Sequence, residues 1–90
     1  MAYKVLWSQK AEKELSKIDK TQAKLLYGWV EKNLDDCINP RKFGKPLTEE
    51  WQGFWRYDIG KYRLICDLQD ESVIILVVKI GHRREVYRKH

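Results

Sequence analysis

The stretch FWRYDIGKYRLICDLQDESVIILVVKI, residues 54–80, decides the fold. Its first part is aromatic and β-branched, with apolar positions recurring every second residue on both sides of Gly60-Lys61. That period belongs to strands with one buried face. A Gly and one further residue between two such runs fit a two-residue hairpin turn of type II′, whose first position needs a left-handed backbone. The turn sets Ile59 opposite Tyr62 and Asp58 opposite Arg63. Trp55, Tyr57 and Ile59 then share an apolar face with Tyr62, Leu64, Cys66 and Leu68. Arg56, Asp58, Arg63, Ile65 and Asp67 point the other way.

The residues QDES reverse the chain into a third strand, VIILVVKI, residues 73–80. Strict alternation predicts Ile74, Leu76, Val78 and Ile80 on the core face, with Val73, Ile75, Val77 and Lys79 on the other. Face matching then requires a turn of odd length, and a three-residue turn puts Lys79 opposite Arg63. The expected result is a cationic patch of Arg56, Arg63 and Lys79, flanked by Asp58. Like charges facing each other across a sheet repel. Such a pattern implies that Asp58 separates them or that they hold an anion.

Toward the N-terminus, YKVLW (Tyr3 to Trp7) reads as a short strand. Ser8 offers a helix N-cap, and Ala11, Leu15 and Ile18 predict a helix over about residues 8–18. Asp19 and Gln22 form a capping-box pattern. Ala23, Leu26, Val30, Leu34 and Cys37 mark the apolar stripe of a second helix, widened by Trp29. Gly28 weakens that helix by about 1 kcal/mol relative to Ala. Ile38 to Glu50 holds both prolines and reads as a connecting loop. The order β-α-α-β-β-β predicts an α+β fold, with an N-terminal helical hairpin packed on one face of a mostly antiparallel sheet.

The chain has 90 residues, the length of one domain, and residues 1–90 are read as such. Hydrophobic residues make up 43% of it, which excludes a disordered composition. The two cysteines, Cys37 and Cys66, have neither the spacing of a zinc site nor the number of a disulfide framework. They read as small core or boundary residues. The opening MAYKVLWSQK lacks the long apolar region of a secretion signal, and the longest apolar run is far short of a membrane span. A cytoplasmic protein with reduced thiols, and no membrane partner, is therefore expected. Its net charge of +5 favours an anionic partner.

The last ten residues, GHRREVYRKH, leave the end of the third strand. They bring His82, Arg83 and Tyr87 toward the cationic patch. If the anion is an RNA phosphodiester, the adjacent 2′-OH is a built-in nucleophile. Cleavage then needs a base for that hydroxyl, positive charge for the crowded phosphate, and an acid for the departing 5′-oxygen. Arg63 and Arg83 suit bidentate clamping of phosphate oxygens. Tyr87 or His82 suits proton transfer, since neighbouring cations favour the phenolate of a Tyr. The sequence holds no metal-ligand set, so no metal or other cofactor is expected.

The order of elements, the run GKPL, the run GFWRYDIGKYRLI and the ending GHRREVY closely resemble the RelE/ParE superfamily of bacterial toxin–antitoxin toxins, and most of all its RelE branch. The similarity spans nearly the whole chain. It implies a compact microbial-ribonuclease-like domain. It implies a metal-free endoribonuclease, an mRNA interferase that cuts mRNA in the ribosomal A site by 2′-OH attack, leaves a 2′,3′-cyclic phosphate and a 5′-OH, and so inhibits translation. The implied partners are a RelB-like antitoxin, the ribosome with its mRNA, and operator DNA only through the antitoxin complex. Position by position, Arg63 matches the family's arginine in the YR pair and Arg83 its phosphate-binding arginine. Tyr87 matches its C-terminal tyrosine, a base or a base-stacking group, and Arg56 stands where well-known members have a lysine. Lys61, Lys79, Arg84, Arg88 and Lys89 are expected to attract RNA, with His90 beside them.

Two positions leave alternatives open. Asp58 stands where those members carry a second basic residue. It either neutralises Arg63, orients it, or moves protons itself. His82 rivals Tyr87 as acid or base. Two other activities fit the same fold, a ParE-like toxin that poisons DNA gyrase without cutting RNA and a catalytically weak antitoxin-binding module.

Overall fold

The computed structural model describes residues 1–84. The elements are β1 (Lys4–Trp7), α1 (Gln9–Ser16), α2 (Lys20–Asn33), β2 (Lys45–Pro46), β3 (Trp55–Ile59), β4 (Tyr62–Gln69) and β5 (Ile74–His82), with short 3-10 turns at Pro40–Lys42 and Glu49–Trp51. The strands form one sheet in the order β1-β5-β4-β3-β2. Every pairing is antiparallel except β1 with β5. This is the α+β arrangement expected from the pattern, with two helices on one face.

Both helices begin as their caps dictate. The Ser8 side chain accepts from the Ala11 amide, and Asp19 accepts from Thr21 and Gln22. Each satisfies amides that have no partner in the first turn. The helices are shorter than the sequence suggests. Asp36, with φ of 66°, turns the chain out of the helical region, and Cys37 bonds back to β1 through Tyr3. Cys37 therefore packs against the core from a loop.

The 38–50 loop is also more ordered than a connector, because Lys45 and Pro46 pair with Arg56 and Trp55 as an edge strand. Gly44 makes this possible. Its φ is +74°, and a Cβ there would lie 2.1 Å from the Arg56 carbonyl oxygen. No side chain fits at that approach. The Trp55 indole N–H then donates to the Phe43 carbonyl at 2.7 Å and pins the same corner.

The first hairpin follows the sequence reading. Gly60 has φ of +59°, and Ile59↔Tyr62 and Asp58↔Arg63 face each other. The core joins Ala11, Leu26, Val30 and Leu34 of the helices to Tyr57, Leu64, Cys66, Ile75, Val77 and Ile80 of the sheet. The Tyr57 hydroxyl donates to the Pro40 carbonyl at 2.7 Å, so its burial leaves no polar atom stranded. Burial pushes the Tyr57 phenol and the Cys66 thiol well above their ordinary pKa values, which leaves both uncharged.

The last strand departs from strict alternation. The turn between β4 and β5 has even length, residues 70–73, and it sets Leu68 opposite Ile75. Ile75 and Val77 are therefore core residues, while Ile74, Leu76 and Val78 are only partly buried. The pairing then skips Val78, so that Cys66 faces Val77 and Ile65 faces Lys79. This β-bulge reverses the parity once more. Without it, Lys79 would point into the core. With it, Ile80 returns to the core and Lys79 to the opposite face, opposite Ile65 rather than Arg63 as a three-residue turn would have it. Ser8 holds the bulge by donating its amide to the Val77 carbonyl at 3.0 Å and its hydroxyl to Val78 at 3.4 Å.

Candidate functional site

Strand pairing builds the face opposite the helices in two rows, since directly paired residues share a face. One row runs Lys45, Arg56, Ile65 and Lys79 across β2, β3, β4 and β5. The next runs Asp58, Arg63 and Gly81. Three cations thus flank a fully buried Ile65. Arg63 stands beside them with only 8% of its surface exposed.

Arg63 is held by Asp58. Its Nε and Nη2 donate to the two carboxylate oxygens at 2.5 and 3.2 Å. A guanidinium gripped at two points keeps its plane fixed. These hydrogen bonds from Arg63 hold the Asp58 carboxyl below the usual carboxylate range. Partial burial opposes the shift, and the charges of Arg63, Arg56 and Arg83 add to it. All three arginines are therefore close enough to act on one carboxylate. The lowered pKa makes Asp58 a weak proton acceptor.

Lys79 is steadied from the helix layer. β1 ends at Trp7, so the outer edge of β5 is open beyond it. Glu14 of α1 fills the gap, accepting from the Ile80 amide at 2.7 Å and lying 3.7 Å from the Lys79 ammonium. Partial burial still pulls the Lys79 pKa below its ordinary value, against the pull of Glu14.

The two turns at the end of the sheet meet around a cleft of about 440 Å³, lined by Gly60, Lys61, Arg63, His82, Arg83 and Arg84. The Arg83 amide donates to the Lys61 carbonyl at 3.0 Å and joins its two sides. A cleft lined by four cations attracts phosphate oxygens.

The structure therefore brings together Arg56, Lys61, Arg63, Lys79 and Arg83. It places His82 differently. His82 pairs with Tyr62, on the helix side of the sheet, and packs its ring edge-to-face on that tyrosine at 6.0 Å. Its Nδ1 accepts from the Arg84 amide at 3.3 Å. His82 and Arg84 also line a second depression with Tyr62 and the α1–α2 turn. Tyr87, Arg88, Lys89 and His90 lie outside the described residues. Sequence reading missed Lys45, because the GKPL run gave no strand signal, and Glu14, because its partner lies across the fold.

Cys37 and Cys66 are free thiols. Among the described residues no group of three His, Cys, Asp or Glu side chains is placed to hold a metal ion, and no helix is long and apolar enough to cross a membrane.

Residues 5–87 match the family model of the ParE toxin of the type II toxin–antitoxin system parDE. The chain is 30% identical over 90 residues to Toxin RelG of Mycobacterium tuberculosis, covering 99% of this chain and all of that one. Its fold matches a chain of the RelBE2 toxin–antitoxin complex of M. tuberculosis with a TM-score of 0.83 at 25% identity, covering 94% of this chain and 95% of that one. The isolated E. coli RelE toxin matches with a TM-score of 0.69 at 24% identity, over 96% and 92% of the two chains. The chain belongs to the RelE/ParE superfamily of type II toxin–antitoxin toxins.

Proposed function

We propose that this toxin is a ribosome-dependent endoribonuclease that cleaves mRNA in the A site without a metal. The observation that carries the reading is the cleft that gathers Lys61, Arg63, Arg83 and Arg84, with Asp58 gripping Arg63 at its wall. The 2′-oxygen attacks the adjacent phosphorus, the bond to the 5′-oxygen breaks, and a 2′,3′-cyclic phosphate and a 5′-OH result. Arg63 and Arg83 stabilise the charge that builds on the phosphate oxygens. Asp58 orients Arg63, because its lowered pKa and double hydrogen bond suit it poorly to proton transfer. The proton work falls to Tyr87 or His82. Arg84, Arg88, Lys89 and Lys79 add attraction for RNA. A RelB-like antitoxin is the expected partner, since structures of this fold include RelB–RelE complexes. Operator DNA is reached only through that complex.

The test is expression of Arg83→Ala and Tyr87→Phe variants that still fold and bind antitoxin. Relief of growth arrest, with loss of codon-internal cuts in primer extension on a translated mRNA, supports the reading. Arrest that persists in the double variant sinks it.

A second reading is a ParE-like gyrase poison, or a catalytically weak antitoxin-binding module. The match to a ParE family model favours it, as does the carboxylate already paired with Arg63. Relaxed plasmid DNA with intact mRNA in arrested cells identifies the poison.

A further inference from the structure

His82 stands where two depressions meet. One is the cationic cleft. The other, of about 590 Å³, lies between Tyr62 and the α1–α2 turn. We propose that His82 is a positioning residue: its neutral imidazole clasps the turn that presents Arg83, and protonation of the ring opens that clasp. The inference deepens the nuclease reading, and rests on it only for the effect on cutting.

Two successive amides at the end of β5 have separate acceptors. The Arg83 amide donates to the Lys61 carbonyl at 3.0 Å, and the Arg84 amide to His82 Nδ1 at 3.3 Å. The second bond runs from a side chain to the amide two residues on, the pattern that Asn and Asp make in turns. The two amides flank the Cα of Arg83. They therefore set the direction in which its guanidinium leaves the chain toward the cleft. The half-buried imidazole is itself held, packed edge-to-face on Tyr62 at 6.0 Å.

The clasp works in one protonation state only. Nδ1 accepts a hydrogen bond when it carries no proton, so the ring proton sits on Nε2. A second proton turns Nδ1 into a donor facing the Arg84 N–H, and the bond is lost. Lys17 and Asp19 face the ring from the α1–α2 turn, Tyr62 from β4, and Lys61 and Arg63 from the cleft. The Asp19 carboxylate is committed to the Thr21 and Gln22 amides at the start of α2. An imidazolium therefore stands among cations, with Arg84 beside it. Of these side-chain types, imidazole is the one whose charge changes between about pH 5 and 8. With Nδ1 tied to the backbone and the ring packed on Tyr62, His82 positions Arg83, and proton transfer falls to Tyr87.

The experiment follows the isotope-labelled full chain by NMR between about pH 5 and 8. It reads the His82 ring and the protection of the Arg84 amide from solvent exchange, measured against the intrinsic rate. In wild type, about fivefold protection is expected at the neutral end, the value of one ordinary hydrogen bond. It should vanish in acid with the midpoint of the His82 ring. In His82→Asn, whose Oδ1 replaces Nδ1 and does not titrate, protection should persist at every pH. In His82→Phe it should be absent at every pH. Arg84 protection that ignores the titration of His82, or that is equal in the Asn and Phe variants, overturns the clasp. The second measurement is codon-internal cutting near neutral pH with ribosomes saturating, because an imidazolium also attracts phosphate and would mask the loss in an affinity. His82→Phe should cut about fivefold more slowly than His82→Asn. Equal abolition of cutting in both variants makes His82 the proton carrier and overturns the inference. The two readings fail separately. Protection that follows His82 in a chain that cuts no mRNA leaves the clasp standing and removes the nuclease. Cutting by a chain whose Arg84 amide is never protected does the reverse.

Discussion

Leu64 and Ile65 are neighbours in the chain, and neither exposes any surface. Leu64 lies under the helices, in a cluster of Tyr57, Cys66, Val77, Ile80 and the apolar stripe of α2. Ile65 lies on the opposite face, between Arg56 and Lys79 and outside that cluster. One face is thus buried by close packing of apolar layers. The other carries a cationic row around a single apolar residue, with a doubly bonded arginine beside it. The first arrangement stabilises the fold, whereas the second holds charge in place. A toxin domain this small separates the two tasks by using the two sides of one strand.

Truncating each neighbour tests that separation and has the largest effect expected. Leu64→Ala should cost about 4 kcal/mol, since the surrounding cluster cannot collapse into the space. Ile65→Ala should cost about 2 kcal/mol, because the flanking Arg56 side chain can fold over the gap while Glu14 holds Lys79. Urea unfolding of the two variants gives both values. Equal losses would mean that the outer face is core as well, and the comparison would fail.

The next effect concerns Asp58, the anion among the cations. Asp58→Asn should remove about 1–2 kcal/mol at pH 7, below the loss for a fully buried pair because Asp58 itself is partly exposed. The sign of the pH dependence follows from its depressed pKa. The stabilisation is complete above the unfolded value of about 3.9, and it is lost as pH falls through the lower folded value. The gap in unfolding free energy between wild type and Asp58→Asn should therefore be steady near neutral pH and close below about pH 4. A gap that widens in acid would show that Asp58 is not held as the carboxylate partner of Arg63. In the nuclease reading, the same variant should also cut mRNA less, because Arg63 loses its orientation. A gain in cutting would instead mean that Asp58 had been neutralising it.

The two faces were not equally legible in the sequence. Alternation in residues 55–69 placed every core residue of the first hairpin and put Arg56, Asp58 and Arg63 together, because a two-residue turn fixes register by itself. The third strand was different. VIILVVKI is apolar at nearly every position, so period two carries little information there. An even turn and a bulge at Val78 put Lys79 on the same face as an odd turn without a bulge, and they differ in its partner, Ile65 instead of Arg63, and in which of Ile74, Ile75, Leu76 and Val77 are buried. Lys45 was hidden for another reason. A two-residue edge strand beside proline has too short a pattern to read, and the signal present, Gly44 at a close approach, becomes clear only once Arg56 is beside it.

Ser8 gives the smallest and most local test of how the two faces are kept apart. It caps α1 through Ala11 at 3.0 Å and reaches the bulge through the Val77 and Val78 carbonyls. The amide bond to Val77 survives any substitution but proline, so Ser8→Ala removes only the hydroxyl contacts. The cap accounts for about 1 kcal/mol. The 3.4 Å contact to Val78 is long and should add little. If Ser8→Ala costs about 1 kcal/mol and leaves the Lys79 and Ile80 amide signals in place, the bulge is maintained by the core side chains on either side of it, Val77 and Ile80. A larger loss, accompanied by shifts at Lys79 and Gly81, would mean that one hydroxyl at the start of α1 sets the parity of β5 and with it the face on which Lys79 stands.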